Sequence, residues 1–326
     1  MSTNRDSIHH EQVLKRQTYA LAEGADEAFD EETVVETCDL RSASFAQDLG
    51  EALENLGFAI LVGHGVDQVN YRRCVEAIPR VFAASIEDKL RFRAQRFGSV
   101  NQGYFPIAET SQLHPDQVEG WVFCRRAFAP PMAGNYWPDP ALEPLFRAHW
   151  QAHEVLVAPI MQAILGYLGC DPHLYDDRLC GTNFGLRLNY YPPMPESGAG
   201  RLLGHEDVDL FTLLPAPDIP GLQVLNRRNF KWIRLEAPPG SIILNTGDYL
   251  QRISNDRLPS TTHRVSVPRD PAARALSRVS LPMAIYLWED EVLEVLPGLG
   301  DPHYPPIRTE RFHTLITSKF YGDDYA

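Results

Sequence analysis

Two short segments of the chain carry side chains that could bind a metal ion together. In the first, Gly204–Asp207, the alternation of side chains along a β-strand would place His205 and Asp207 on the same face. The second, Thr262–Val265, begins another β-type run and supplies a second imidazole, that of His263. Two imidazoles and one carboxylate on one triangular face of an ion leave its remaining positions open to reacting molecules. The pattern therefore predicts a metal site formed by these three side chains.

A third segment indicates a site for a carboxylate. Arg278 and Ser280 stand two residues apart, so they share a face of a predicted strand. A guanidinium fork beside a hydroxyl suits a carboxylate, which it can bind through two parallel hydrogen bonds. The neighbours of Arg278 between Leu276 and Ile285 are mostly apolar, and an unpaired guanidinium in a buried strand would be costly. Together with the two-histidine, one-carboxylate set, this favours the chemistry of non-haem Fe(II) oxygenases.

The order of motifs along the chain resembles that of the isopenicillin N synthase-like family of 2-oxoglutarate- and Fe(II)-dependent dioxygenases. The similarity extends from about Val34 to Val295, and Glu206 departs from the threonine that is usual between the first histidine and the aspartate. The segments that carry the resemblance follow one another in the family's order: Gly57–Val66, Asn101–Tyr104 (the glycine-tyrosine loop), Asn135–Pro138, Arg187–Pro193, His205–Leu214, Gly221–Val224, Asn245–Asp248 and Thr262–Val265.

The resemblance implies a role for each candidate residue. His205, Asp207 and His263 would bind Fe(II), and 2-oxoglutarate would chelate that iron as a cosubstrate while O2 takes an open position. The cosubstrate would also contact four further residues: Arg278, Ser280, Tyr191 and Asn189. The substrate would contact four aromatic residues near the pocket: Tyr104, Phe105, Trp121 and Phe211. Ascorbate is expected as a stimulant.

The implied activity is the oxidation of a small organic metabolite, often a secondary-metabolism intermediate, with formation of succinate and CO2. Hydroxylation, desaturation, epoxidation and rearrangement are all open as outcomes. One alternative is an oxidase of the same fold that uses Fe(II) and O2 without 2-oxoglutarate. Another is a jelly-roll binding protein without catalysis, which the complete triad disfavours.

Composition excludes several other classes of protein. Of the 326 residues, 30 are Lys or Arg and 43 are Asp or Glu, which gives a formal net charge of −13. Such an acidic chain lacks the basic surface that nucleic acids and anionic membranes require. The most apolar stretch, Val155 to Cys170, is too short to span a bilayer. The five cysteines form no CxxC pair, which favours reduced thiols in a cytoplasmic protein. The acidic charge favours a small molecule as the partner, and the oligomeric state stays open.

The hydrophobic pattern predicts a mainly β fold with a helical N-terminal part. Helices are expected at about 42–56, 69–89 and 142–168, the last bent at Pro159, with a buried strand at Phe58–Val62. After Gly169, short β-type runs separated by turn residues predict a sandwich or barrel of antiparallel strands. The resemblance implies that this is a double-stranded β-helix (jelly-roll) core flanked by helices.

Four regions follow from this pattern. They are a loosely held polar arm (1–33), an N-terminal helical and strand region (34–170), the jelly-roll core (171–295) and a C-terminal helical tail packed on the core (296–326). Pro268 to Ala275 is expected to form a long hairpin loop before Arg278. A one-residue change of register there would turn Arg278 out of the pocket. His149 and His153, four residues apart on a predicted helix, lack an evident third ligand.

Overall fold

The computed structural model describes residues 28–98, 100–107, 117–129, 136–193, 201–266 and 270–321. Its strands are β1 Thr37–Asp39, β2 Phe58–Val62, β3 Gln95–Phe97, β4 Val100–Phe105, β5 Glu119–Cys124, β6 Asn183–Tyr191, β7 Leu202–His205, β8 Phe211–Pro215, β9 Leu222–Asn226, β10 Lys231–Arg234, β11 Ile242–Thr246, β12 His263–Val265, β13 Arg278–Ser280, β14 Met283–Tyr286, β15 Val292–Leu293 and β16 Ile307–Arg308. The largest sheet has the strand order β1-β2-β11-β8-β14-β6-β5-β4-β3, and β13 also pairs with β6. A second sheet has the order β10-β9-β12-β7, and β15 pairs with β16.

The two larger sheets enclose a cavity, which is lined by residues of β6, β8, β13 and β14 on one side and of β7, β9 and β12 on the other. All the strand pairs of these sheets are antiparallel except β1 with β2. The longer helices bury their apolar faces in the main core, whereas the short helix Pro271–Arg274 buries no residue. The bounds of the helices are Phe45–Leu56, Gln68–Phe82, Ile86–Leu90, Glu143–Glu154, Val157–Tyr167, Asp176–Leu179, Asp248–Ile253, Pro271–Arg274 and Thr309–Tyr321, with 3-10 turns at Arg125–Phe128 and Pro140–Leu142.

The first helix and strand confirm the sequence pattern. The helix Phe45–Leu56 buries Phe45, Leu49, Leu53 and Leu56, and Gly57 ends it in a left-handed conformation with φ of 73°. A Cβ at Gly57 would lie 2.4 Å from the carbonyl oxygen of Pro259, so only glycine fits there. The strand that follows, β2, spans Phe58–Val62 as expected.

The two longer helices predicted from sequence are each divided. The stretch 69–89 forms Gln68–Phe82 and Ile86–Leu90, with Ser85 capping the second of them. The stretch 142–168 is interrupted after Glu154 and resumes at Val157. Pro159 explains this interruption, because its ring excludes the carbonyl group four residues earlier and it has no N–H to donate. The chain therefore breaks just before the proline instead of bending at it.

Three other expectations about connections are wrong. Residues Asn101–Tyr104 form part of strand β4 and not a loop. The polar arm is not merely solvated at its end: Asp30 accepts hydrogen bonds from Asn229, Thr33 and Asn226, and these bonds hold the pKa of its carboxyl well below the usual range. The segment between β12 and β13 is not a hairpin, because the two strands belong to different sheets and the short helix Pro271–Arg274 lies between them.

Within the ranges that the structure describes, no helix is both long and apolar enough to cross a membrane. The C-terminal helix Thr309–Tyr321 packs against the body of the protein through the buried residues Phe312 and Ile316. Asn135, the first residue of one family motif, and Pro268, the first of the predicted loop, lie outside the described residues.

Candidate active site

Three side chains meet at one end of the cavity between the sheets. His205 is the last residue of β7, and His263 is the first residue of β12, directly opposite it in the antiparallel pair. Asp207 lies two residues beyond the end of β7, so it is in a loop and not on the strand face that its spacing suggested. Its Oδ1 atom lies 3.8 Å from the Nε2 atom of His205 and 4.0 Å from that of His263. These three ligand atoms all lie within 4.8 Å of one another.

Backbone carbonyl groups fix the orientation of both imidazoles. The Nδ1 atom of His205 lies 2.9 Å from the carbonyl oxygen of Leu203, and the Nδ1 atom of His263 lies 3.1 Å from that of Thr261. A carbonyl oxygen can only accept, so each Nδ1 carries the proton and each Nε2 keeps its lone pair for a metal. Both lone pairs then face the Asp207 carboxylate.

Asp207 is held by donors on its other oxygen. The Asn245 amide and the Thr212 hydroxyl each donate to Oδ2 at 2.8 Å, which leaves Oδ1 directed at the two imidazoles. The backbone N–H of Asp248 donates to the Asp207 carbonyl oxygen at 2.8 Å. Burial alone would raise the pKa of Asp207. The positive charges that His263 and His205 carry when protonated, together with the two donated hydrogen bonds, outweigh burial and lower that pKa. The side chain is therefore an ionised ligand at neutral pH.

A second buried carboxyl, that of Asp209, supports this arrangement. Burial and the nearby Asp207 charge raise the pKa of Asp209 well above its usual value, which favours the protonated carboxyl. Its Oδ2 atom lies 2.7 Å from the Thr212 hydroxyl, which has a single proton. The protonated Asp209 can donate to Thr212 while Thr212 donates to Asp207. Gly247 makes room for Asp209, because a Cβ at position 247 would lie 2.0 Å from the Asp209 Oδ1 atom.

The predicted carboxylate-binding residues lie deeper in the same cavity. Strand β13 pairs Arg278 with Tyr191 and Ser280 with Asn189 of β6, and all four residues line the cavity. The Arg278 side chain is 2% exposed, so the sheet crossing does not turn it out to solvent. Its Nε atom donates to the Ile219 carbonyl oxygen at 3.0 Å, and its guanidinium lies 4.9 Å from the centre of the Tyr191 ring.

Two buried polar atoms of these residues lack hydrogen-bond partners. Among the described residues, the Nη1 atom of Arg278 and the Oδ1 atom of Asn189 have no hydrogen-bond partner. The Nδ2 atom of Asn189 lies 3.4 Å from the Ser280 hydroxyl. Buried polar groups are almost always satisfied in folded proteins. An unsatisfied guanidinium nitrogen facing a cavity therefore indicates an anionic ligand.

The four aromatic residues predicted to contact substrate separate into two groups. Phe105 lines the cavity. Tyr104, Trp121 and Phe211 are at most 1% exposed, pack in the main hydrophobic core and are not among the described residues that line the cavity. The hydroxyl group of Tyr104 donates to Glu119. Alternation along β4 explains the difference, because Tyr104 and Phe105 point to opposite faces of the strand.

Sequence reasoning assigned no role to several residues that the structure places at this site. Asn245 and Thr212 support Asp207, and Asn245 belongs to a family motif that could have signalled it. Strand alternation would turn Glu206 away from His205 and Asp207, but Glu206 lines the cavity and accepts a hydrogen bond of 2.9 Å from Thr262. The far end of the cavity is lined by residues on separate elements, including Val100, Val122, Arg187, Ala284, Tyr286 and His313.

Comparison with known proteins decides the family. A family model described as the 2OG-Fe(II) oxygenase superfamily matches residues 182–285, and one described as the N-terminal region of the non-haem dioxygenase in morphine synthesis matches residues 34–140. A putative 2OG-Fe(II) oxygenase family protein from Caulobacter crescentus is 30% identical, with a TM-score of 0.74, over 90% of this chain and 99% of that protein. The chain belongs to the 2OG-Fe(II) oxygenase superfamily.

Other relatives of this 2OG-Fe(II) oxygenase agree with that assignment. Feruloyl CoA ortho-hydroxylase 2 of Arabidopsis thaliana is 26% identical over 301 residues, which is 88% of this chain and 78% of that protein. A full-length Neurospora crassa protein, solved in complex with alpha-KG, has the same fold, with a TM-score of 0.77 and 22% identity over 90% of this chain and 98% of that one. The predicted jelly-roll fold is thereby confirmed.

The prediction of an enzyme is confirmed as well. The protein is a 2-oxoglutarate-dependent dioxygenase that uses Fe(II), 2-oxoglutarate and O2, and its relatives act on small molecules. The family assignment supports this activity over the oxidase that would dispense with 2-oxoglutarate.

Proposed function

We propose that His205, Asp207 and His263 bind the Fe(II), and that the cosubstrate residues of β6 and β13 bind 2-oxoglutarate beside it. The single observation that carries the proposal is the convergence of two imidazole lone pairs and one free carboxylate oxygen in a cavity that also contains the unpartnered Nη1 atom of Arg278. A small organic metabolite is oxidised in the remainder of the same cavity.

The residues present fit both groups. Two neutral imidazoles and one ionised carboxylate match the ligand set of non-haem Fe(II) sites, and they occupy one side of the ion only. Arg278, with Tyr191 under its guanidinium and Ser280 next to it, offers a buried cation and a hydroxyl to a carboxylate. Asn189 lines the same cavity, and its unpartnered Oδ1 atom could accept a hydrogen bond from a bound group.

The protein's own contribution is to bind, orient and exclude water. When bound, the iron and 2-oxoglutarate supply the oxidation of the substrate, with succinate and CO2 as co-products. Thr212 and Asn245 fix the Asp207 carboxylate, and the carbonyls of Leu203 and Thr261 fix the imidazoles. Arg278 would hold a carboxylate of the cosubstrate in the cavity that also contains the triad. The apolar lining, including Val265 and Leu222, keeps bulk water away from the reacting groups.

The substrate is a small molecule. The cavity has a volume of about 250 Å³, below the usual range for ligand pockets of about 300–1,000 Å³, and it must also contain the metal and the cosubstrate. Phe105 is the predicted aromatic contact that lines this space, so we retain it as a substrate contact. The acidic composition supports the absence of nucleic acid and anionic membrane among the partners.

Two further predictions belong to this proposal. The first is a cytoplasmic location, which is supported by the five cysteines, all of them free thiols as reducing conditions require. The division of the chain into an arm, an N-terminal region, a jelly-roll core and a C-terminal tail is retained as the expected organisation of the functional unit.

The proposal is tested by coupled measurements on matched variants. Purified protein supplied with Fe(II), 2-oxoglutarate and O2 is screened with metabolites for succinate release. The variants His205→Ala and Asp207→Ala should abolish succinate release and greatly weaken iron binding. His173→Ala, which removes an exposed imidazole bonded to Asp176, is the control and should leave both unchanged. Full activity in either triad variant would contradict the ligand assignment.

A further inference from the structure

One guanidinium in the cavity has no part in the proposed metal and cosubstrate site. The side chains of β6 alternate, so Gly185, Arg187, Asn189 and Tyr191 face the same side, and all four line the cavity. Strand geometry places the Cα atom of Arg187 about 7 Å from that of Asn189 and about 13 Å from that of Tyr191. Arg187 therefore lies one step beyond the cosubstrate residues, toward the end of the cavity left for the substrate.

The surroundings of this guanidinium do not compensate its charge. The Nε atom of Arg187 is buried and has no hydrogen-bond partner, and none of the ion pairs of the described residues involves the side chain. The guanidinium lies 5.6 Å from the centre of the Phe105 ring. Gly120 makes room for it, since a Cβ there would lie 3.1 Å from Nε and 3.2 Å from Nη2. A partly buried guanidinium without a partner is a site for an anion.

The metal and the cosubstrate do not require this charge. The formal charges of Fe(II), the Asp207 carboxylate, doubly ionised 2-oxoglutarate and Arg278 cancel one another. Glu206 also lines the cavity, and its carboxylate accepts a hydrogen bond from Thr262. Arg187 is thus a guanidinium that neither the metal nor the cosubstrate uses, and an anionic group of the substrate would suit it.

The cavity wall next to Arg187 is mostly apolar, and its side chains lie close together. Val100, Val122, Ala284 and the ring of Tyr286 line it, and they close around Gly185. A Cβ at Gly185 would lie 3.3 Å from both the Cε2 atom of Tyr286 and a methyl carbon of Val100. This wall suits an apolar body that carries its charge at one point.

We propose that Arg187 binds a carboxylate of the substrate, and that the substrate is a compact, largely apolar carboxylic acid. This inference rests on the proposed function, because it takes the Arg278 end of the cavity for 2-oxoglutarate. Arg187 is then the residue that selects acids over neutral molecules of the same shape.

The test compares acids with their neutral amides as probes. Benzoate, phenylacetate and trans-cinnamate, each paired with its amide, are titrated into the anaerobic Fe(II) and 2-oxoglutarate complex of the full chain by calorimetry. A charge-assisted hydrogen bond contributes about 1.5–3 kcal/mol, which corresponds to about 10- to 100-fold in affinity. Wild-type protein should bind at least one acid tighter than its amide by this factor.

The variants separate recognition from structural effects. R187Q should lose the preference for the acid while binding the amide as before, and R187K should keep part of it. A merely structural role would weaken acid and amide alike. R227Q, which changes an exposed arginine in the turn between β9 and β10, is the matched control and should behave as wild type. If R187Q does not fold, the affinities for acid and amide are compared in R187K instead.

The outcomes also distinguish this inference from the proposed function. The affinity for 2-oxoglutarate is measured first for each protein and should be the same in wild type and R187Q. A wild type that binds no 2-oxoglutarate contradicts the proposed function and this inference with it. Normal 2-oxoglutarate binding without any preference for acids overturns this inference alone. This inference is also overturned if R187Q still prefers the acid, or if R187Q loses 2-oxoglutarate binding.

Discussion

His205 and His263 lie directly opposite each other in the antiparallel pair of β7 and β12, and their ring centres are 4.3 Å apart. Two residues far apart in sequence thus become neighbours through a single strand pairing. The carboxylate between them comes from the loop that leaves β7, so its position depends on other side chains. The stability of the metal site is therefore linked to the register of these strands and to the residues that hold Asp207.

The first prediction concerns the support of Asp207. Asn245→Ala and Thr212→Val each remove one donor to its Oδ2 atom, so the carboxylate loses its fixed orientation. Loss of such a partner typically lowers metal affinity about 10- to 100-fold. We expect this decrease in an anaerobic Fe(II) titration of each variant. Asn55→Ala, at an exposed surface asparagine, is the control, and unchanged Fe(II) affinity in both test variants would contradict the role of the donors.

The second prediction concerns the packing of Gly247 against Asp209. Gly247→Ala would place a methyl group 2.0 Å from the Asp209 Oδ1 atom and 2.4 Å from the Asp209 carbonyl oxygen. Such overpacking should lower the free energy of unfolding by about 1–3 kcal/mol, measured by denaturant titration. In Gly166→Ala, within the helix Val157–Tyr167, the nearest atom is 3.8 Å away. That control should be neutral or more stable by up to about 1 kcal/mol. Equal effects in the two variants would argue against the contact.

The third prediction concerns the proposed cosubstrate cation. Arg278→Ala removes the guanidinium whose Nη1 atom is free to bind a carboxylate, so the dissociation constant for 2-oxoglutarate should rise by about 10-fold or more. Fe(II) affinity should stay unchanged, since Arg278 is not a ligand. Arg278→Lys should restore binding only in part, because an ammonium group cannot bind a carboxylate through two parallel hydrogen bonds. Arg72→Ala on the exposed face of the helix Gln68–Phe82 is the control. Wild-type cosubstrate affinity in Arg278→Ala would exclude this role.

The fourth prediction concerns pH and two buried histidines. Burial lowers the pKa of His153 to about 4, and burial together with His153 lowers the pKa of His149 well below its usual value of 6.5. Above pH 6.5 both residues are neutral in the folded and the unfolded chain. Below it, the unfolded chain takes up protons that the folded chain does not, so the free energy of unfolding should fall by about 1.4 kcal/mol per pH unit for each histidine.

Thermal and denaturant melts between pH 7 and pH 5 measure this effect. His149→Met should reduce the loss of stability at acidic pH, and it should not destabilise the protein at pH 7, because both ring nitrogens of His149 lack partners among the described residues. Val69→Met changes an exposed, uncharged residue of the helix Gln68–Phe82 and should leave the pH dependence as in wild type. Identical pH profiles for His149→Met and wild type would show that His149 does not carry the effect.

The sequence predicted the site better than it predicted the connections. The types and spacing of His205, Asp207 and His263 follow from local chemistry, and the resemblance added Arg278 and Tyr191. The structure brings these residues into one cavity. Their convergence could not be derived from local patterns, because the β7–β12 and β6–β13 pairings join residues far apart in the chain. The support by Thr212 and Asn245 depends on a third strand pairing, that of β8 with β11.

Elements with strong local signals were predicted well, and those set by tertiary contacts were not. The helix that ends at Gly57 and the strand Phe58–Val62 have clear patterns and a clear end signal. The break after Glu154 needed the position of Pro159 within the turn, which periodicity alone does not give. Trp121 alternates with Gly120 and Val122 along β5, and the adjacent strands decide which face of β5 meets the cavity. For that reason Trp121 was expected at the pocket and lies in the core.

The most direct test of the account is an anaerobic titration of the protein with Fe(II) and 2-oxoglutarate, followed by the weak metal-to-ligand charge-transfer absorption. Wild-type protein should develop this band with one Fe(II) and one 2-oxoglutarate per chain. Asp207→Ala should show no band, and Arg278→Ala should show it only at much higher cosubstrate concentration. A full band in Asp207→Ala, or none in the wild type, would contradict the central claim.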